Sequence, residues 1–159
     1  SLADVHKDLY TSQNEGRVNV GALINRTVQG SIELGVSDTN KIQLSKQIED
    51  VWLYPDQVVP LSLLASEAIT NALKYMASSE DQQPKLQILL RQIDNNCMFQ
   101  VSNSIGSEPS ESGTGIGSKL IRAFSIKLGA ETETLNDGDV YTLKISFPVA
   151  EFEVESLDY

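Results

Sequence analysis

The stretch LSLLASEAITNALKYM, Leu61 to Met76, decides the fold. At roughly 100° per residue, Leu61, Leu64, Ala65, Ala68, Ile69, Ala72, Leu73 and Met76 fall on one broad apolar sector. That spacing predicts a helix packed against a sheet or another helix. Glu67, Asn71 and Lys74 gather instead in a narrow stripe on the far side, at i, i+4 and i+7. Two readings of the stripe stay open on the residues alone. One is the solvated face of an ordinary helix. The other is an acid and an amide one turn apart that hold a hydrated hard cation, with the lysine behind them for a phosphate oxygen.

Before this helix, Tyr54-Pro55-Asp56 reads as a turn, and Pro60 is tolerated only in a first helical turn. Ile42, Leu44 and Ile48 alternate with polar residues, then Val51 and Leu53 resume in the opposite phase. This predicts strands broken by a turn or bulge near Glu49 and Asp50. Further back, Asn19 is placed to cap a helix carrying Val20, Leu23, Ile24 and Val28 on one face, with Gly30 and Gly35 bracketing its end and a turn. Residues 1–15 put Leu2, Val5, Leu9 and Tyr10 on one helical face, and Gly16 ends that segment. His6 is the only histidine, with no Glu or Asn constellation around it in sequence, and reads as a helix-surface residue.

After the central helix, residues 78–84 form a polar connection. Strands are predicted over Lys85–Ile93 and Cys97–Asn103, joined by a turn at Asp94, Asn95 and Asn96. Residues 104–117, SIGSEPSESGTGIG, form a loop of small residues. A helix then carries Leu120, Ile121, Phe124 and Leu128 and stops at Gly129. A last hairpin pairs 130–135 with 140–147 across Asn136-Asp137-Gly138-Asp139. Residues 149–159 read as an acidic tail.

Composition narrows the functions. A chain of 159 residues suffices for one domain with a full core, and 40% hydrophobic content fits a globular α/β or α+β protein. The net charge of −10 argues against a general nucleic-acid binder or an anionic-membrane binder. A nucleotide would need a local site built from a metal ion and backbone amides. Cys97 is the single cysteine; it excludes an internal disulfide, suits a reducing cytoplasm, and sits in an apolar run that predicts a buried structural thiol. No run approaches the ~20 apolar residues of a membrane helix. The chain begins without Met inside an expected helix and so reads as a piece of a longer protein, whose other parts could be membrane-bound.

Gly113, Gly115 and Gly117 are spaced by two immediately before a helix. Such glycines let backbone amides approach a phosphate at a helix N-terminus, although flexible loops carry similar triplets. The arrangement is neither a dinucleotide fingerprint nor a P-loop. Ser–His–acid catalysis has one terminal histidine to draw on, and zinc lacks ligands.

The central-helix string LYPDQVVPLSLLASEAITNALKYM (Leu53 to Met76), followed by a hairpin, a loop and GTGIGSKLIRAFSIKLGA (Gly113 to Ala130), resembles the ATP-binding catalytic domain of bacterial sensor histidine kinases. These are GHKL, or Bergerat-fold, ATPases, and the similarity is to the subgroup with a PDQxVPLxLxxxExxTNALKY helix. The resemblance spans about residues 17–148 and implies an α/β two-layer sandwich: one mixed, mostly antiparallel sheet with helices on one face. It implies three segments. Residues 1–15 would be the end of a preceding dimerisation and phosphoacceptor hairpin, 16–148 the catalytic domain, and 149–159 the tail.

By the same resemblance, Asn71 matches the asparagine that ligates Mg²⁺ between the ATP phosphates. Glu67 matches the glutamate that orients a water or acts as base. Lys74 matches a basic position near the phosphates, and Tyr75 a position beside the nucleotide. Gly113, Gly115 and Gly117 match the second glycine box, and residues 104–112 a lid. His6 would then be structural, and the phosphoacceptor histidine would lie upstream of this chain. The implied partners are a response-regulator receiver domain and a second copy joined through the missing hairpin.

The sequence departs from the family at the strand before the lid, which usually ends V-x-D-x-G-x-G. Here Asn103 stands where an aspartate accepts a hydrogen bond from the adenine amino group, and the following glycines are largely lost. A neutral acceptor implies adenine binding weaker by ~1–2 kcal/mol, about tenfold. The same loss motivates an alternative, a non-catalytic adaptor or phosphotransfer scaffold with a degenerate nucleotide site. An anti-sigma serine kinase of the same superfamily is a third reading, against which the helical leader at Leu2–Tyr10 speaks.

Overall fold

The computed structural model describes residues 16–35, 42–76, 83–105 and 116–153. Five strands form one sheet in the order β2-β4-β5-β7-β6: β2 (Gln43–Ile48), β4 (Lys85–Ile93), β5 (Asn96–Ser104), β6 (Glu131–Asn136) and β7 (Val140–Pro148). Only β2 against β4 is parallel; the other pairs are antiparallel. A two-stranded ribbon joins β1 (Val18–Asn19) to β3 (Trp52–Leu53). Three helices, α1 (Val20–Gly35), α2 (Pro55–Tyr75) and α3 (Ile116–Leu128), complete the described elements. The expected two-layer α/β sandwich is the architecture found.

Alternation in the strands explains the layering. Leu86, Ile88 and Leu90 of β4, Cys97, Phe99 and Val101 of β5, and Leu143, Ile145 and Phe147 of β7 are all buried. They lie on the one sheet face that meets Val20, Ile24 and Val28 of α1 and Leu61, Leu64, Ala65, Ala68, Ile69 and Ala72 of α2. The intervening residues face the uncovered side, where Ser102 Oγ and Thr142 Oγ1 lie 2.9 Å apart. Burial raises the Cys97 thiol from 9.0 to about 12, as expected of a structural cysteine.

Several boundaries move. Asn19 caps α1 as expected, its Oδ1 accepting from Gly21 N at 3.0 Å, and the helix runs through Gly30 and ends at Gly35, the second of the two glycines expected to bracket its end. The central helix starts at Pro55, which puts Pro60 inside it. The amide that Pro60 lacks would have bonded Asp56 O, which belongs to an exposed residue of the first turn. Asn96 already pairs with Ile93, leaving a two-residue turn in which Asp94 has φ +54°. Helix α3 ends as predicted: Gly129 at φ +64° is followed by Ala130 N donating to Ser125 O at 2.9 Å. Leu120 is exposed, so the inward face of α3 is Ile121, Phe124, Ser125 and Leu128. Residues 149 and 150 are tied down: Val149 is buried in the core, and Ala150 N donates to Gln57 Oε1. Among the described residues no helix is long and apolar enough to cross a membrane.

Candidate functional site

Helix α2 positions most of the candidate residues. Its first turn is pinned at the end of the sheet where β5 begins, because Gln57 Nε2 donates to Pro148 O at 2.9 Å and Pro148 pairs with Asn96. From there α2 packs along β5. Its 21 residues rise ~30 Å, about the length of the nine-residue strand. Glu67, Asn71, Lys74 and Tyr75 therefore lie toward the end at which β5 finishes in Asn103 and Ser104. Helix α3 packs against α2. The candidate site is thus bounded, among the described residues, by the last turns of α2 and the end of β5.

The stripe is not on the far pole of the helix. Leu63, Ser66, Thr70 and Lys74 make up the exposed pole, whereas Glu67 and Asn71 are half-buried on the shoulder between it and the core. Neither side chain hydrogen-bonds a described residue. Both sit one turn apart on that shoulder with their polar ends free of described partners. Lys74 extends into solvent with Nζ 5.7 Å from the Tyr75 ring centroid, a weak cation–π contact. Tyr75 is half-buried at the last turn.

Asn103 is buried, 4% exposed, near the end of β5. Its parity with Phe99 and Val101 puts it on the helix-covered face, between Leu86 of β4 and Tyr141 of β7. Its Nδ2 donates to Ser104 O at 3.2 Å. Ser104, which nothing in the sequence marked, also anchors this corner: its Oγ accepts from Lys85 N at 2.9 Å. Ile105 N then donates to Asp139 O, fixing the strand end against the last hairpin. Gly113 and Gly115 lie outside the described residues, as do 106–112 of the expected lid and His6; Gly117 belongs to the first turn of α3.

The donor set suits a magnesium ion held partly by a nucleotide. Among the described residues no three His, Cys, Asp or Glu side chains converge. One amide oxygen and one carboxylate on adjacent turns are what Mg²⁺ uses when phosphates and water complete its shell. A cavity of about 230 Å³ at the end of β5 is bordered by Gln43, Ser45, Gln87 and Ser102 and also by Leu86, Asn103 and Ser104.

No protein-family model matches the sequence, and no curated protein does either. Solved structures do. The histidine kinase domain of the blue-light-activated histidine kinase from Erythrobacter litoralis EL346 is 20% identical with TM-score 0.73, over 93% of this chain and 70% of that one. The nucleotide-free catalytic domain of histidine kinase ThkA is 16% identical with TM-score 0.67, over 84% and 95%. Full-length ShkA in complex with AMPPNP is 14% identical with TM-score 0.63; 84% of this chain spans 31% of that protein. The chain folds as the catalytic domains of histidine kinases do.

Proposed function

We propose that the chain is the ATP-binding catalytic domain of a two-component sensor histidine kinase. It binds Mg·ATP and passes the γ-phosphoryl group to a histidine outside this chain, for relay to an aspartate on a response-regulator receiver domain. The observation that carries this reading is the half-buried pair Glu67 and Asn71, without a hydrogen-bond partner among the described residues and one turn apart on a helix that runs toward the strand end bearing the buried Asn103. That ShkA, of the same fold, is solved with an ATP analogue supports it.

Asn71 would hold the metal through its amide oxygen, and Glu67 would orient the attacking group or take its proton. Lys74 would sit near the phosphates, Tyr75 beside the nucleotide, and Asn103 against the base, with the backbone around Gly113, Gly115 and Gly117 on the phosphates. Bound magnesium neutralises charge that develops on the phosphoryl oxygens. Phosphoryl transfer needs positioning and charge neutralisation more than covalent help, which this set supplies. On this reading the domain works in the cytoplasm, and dimerisation belongs to a helical hairpin that precedes it.

Isothermal titration with Mg·ATP tests the proposal. The wild type should bind at micromolar to low-millimolar levels, which also excludes an adaptor with a dead site. Asn71→Asp should abolish binding, and with it phosphorylation of the upstream histidine in the longer protein. A variant as active as wild type removes Asn71 from the site.

A further inference from the structure

We infer that Asn103 makes the base subsite tolerant of either group at the purine 6-position, so that the domain takes 6-oxo purine nucleotides as well as 6-amino ones. This rests on the nucleotide-binding reading above and names its substrate class. One amide N–H of Asn103 is committed to Ser104 O at 3.2 Å. The second N–H and the carbonyl oxygen have no partner among the described residues, in a side chain only 4% exposed. The amide is therefore free to meet one further acceptor and one further donor, and a cavity borders the side chain. The candidate base subsite meets it there.

A carboxylate in this place offers acceptors only. It accepts from the exocyclic amine of adenine and repels the 6-carbonyl oxygen of guanine or hypoxanthine, which would be stranded without a donor. The amide answers both: its oxygen accepts from a 6-amino group, and its remaining N–H donates to a 6-oxo group. Neither interaction breaks the bond to Ser104. The cross-strand neighbours on the same face, Leu86 and Tyr141, carry no charge that would restore the discrimination. Sites that read a hydrogen-bonding group select strongly because the wrong analogue leaves a buried partner unpaired. With Asn103 neither analogue does so.

The test is calorimetric titration of the wild-type chain with Mg·ATP, Mg·GTP and Mg·ITP. The expected dissociation constants agree within about tenfold. In Asn103→Asp, GTP and ITP should weaken relative to ATP by on the order of a hundredfold or more. A wild type that rejects both GTP and ITP by that margin overturns the inference and leaves the kinase reading in place. Binding of none of the three overturns both. Selectivity unchanged in Asn103→Asp moves the discrimination to another residue and overturns the role given to Asn103. The wild-type comparison depends on no variant folding.

Discussion

A methyl group added at Gly21 would overlap the carbonyl oxygen of Glu49 and meet Asn19 Oδ1 at 3.2 Å. The helix cannot retreat, because Val20 N donates to Val51 O at 2.8 Å in the same contact. Gly21→Ala should therefore destabilise the domain by at least about 2 kcal/mol, read from the urea midpoint. Nothing in the sequence separates Gly21 from the other glycines, since the clash comes from a segment remote in the chain. Cys97 is the opposite case: its apolar run already implied burial, and burial holds its thiol at about 12. The native thiol should resist alkylation at pH 8 and react once the protein is unfolded. The neutral form is the one stabilised, so the folded state loses stability as pH rises above the unfolded value of 9.0 toward 12. Stability differences between wild type and Cys97→Ala should narrow across that window. Glu67 and Asn71 stand between the two cases. Their spacing was legible, but whether they sat on the solvent pole or the shoulder depended on packing that a helical wheel alone does not contain.

Among the elements, α1 runs past Gly30 to Gly35 because tertiary contacts override a weak local signal. Gly30 has no neighbour within 4 Å of a Cβ built on it and sits inside the helix without a positive φ. Gly30→Ala should stabilise the domain by ~0.5–1 kcal/mol in chemical denaturation, through reduced freedom of the unfolded chain. The start of α2 was misplaced for a related reason. Pro60 looked like a first-turn residue, yet Pro55 already occupies that place and the carbonyl that Pro60 leaves without its donor belongs to the exposed Asp56. Turn chemistry was read more securely. In the last hairpin Asp137 Oδ1 accepts from Asp139 N at 2.9 Å and Val140 N at 2.8 Å, with Gly138 at φ +96°. Those backbone donors hold the Asp137 carboxyl below its usual 3.8. Its contribution to stability is present above 3.8 and lost as pH falls through the lower folded value. Asp137→Ala should flatten the acid limb of the stability profile and leave the neutral limb parallel to wild type.

At the scale of the molecule, strand alternation foretold a sheet with one covered face, because period-two burial is written in β4, β5 and β7 residue by residue. Strand order was not written there; β2 joins β4 in parallel only because α2 carries the chain back across the sheet. The close of the domain was the least legible part, since acidic composition masks the apolar Val149. Val149 is 4% exposed and its N donates to Asn95 O at 2.7 Å, so the segment after β7 locks the β4–β5 turn. Gln57 takes the same segment into the first turn of α2 through Pro148 O and Ala150 N. Arg17 stacks 4.8 Å from the Tyr54 ring centroid and reaches Ala150 O at 3.5 Å. The beginning of the described chain, the root of the site-bearing helix and the end of β7 are thus held at one corner. Truncation after Pro148 removes ~1.5–3 kcal/mol of valine burial and three hydrogen bonds, the two shorter ones worth ~1 kcal/mol each. The urea midpoint should fall by about 1–2 M relative to a chain ending at Glu153, which keeps every one of these contacts. Equal midpoints would show that the corner holds, and α2 stays anchored, without Val149 and Ala150.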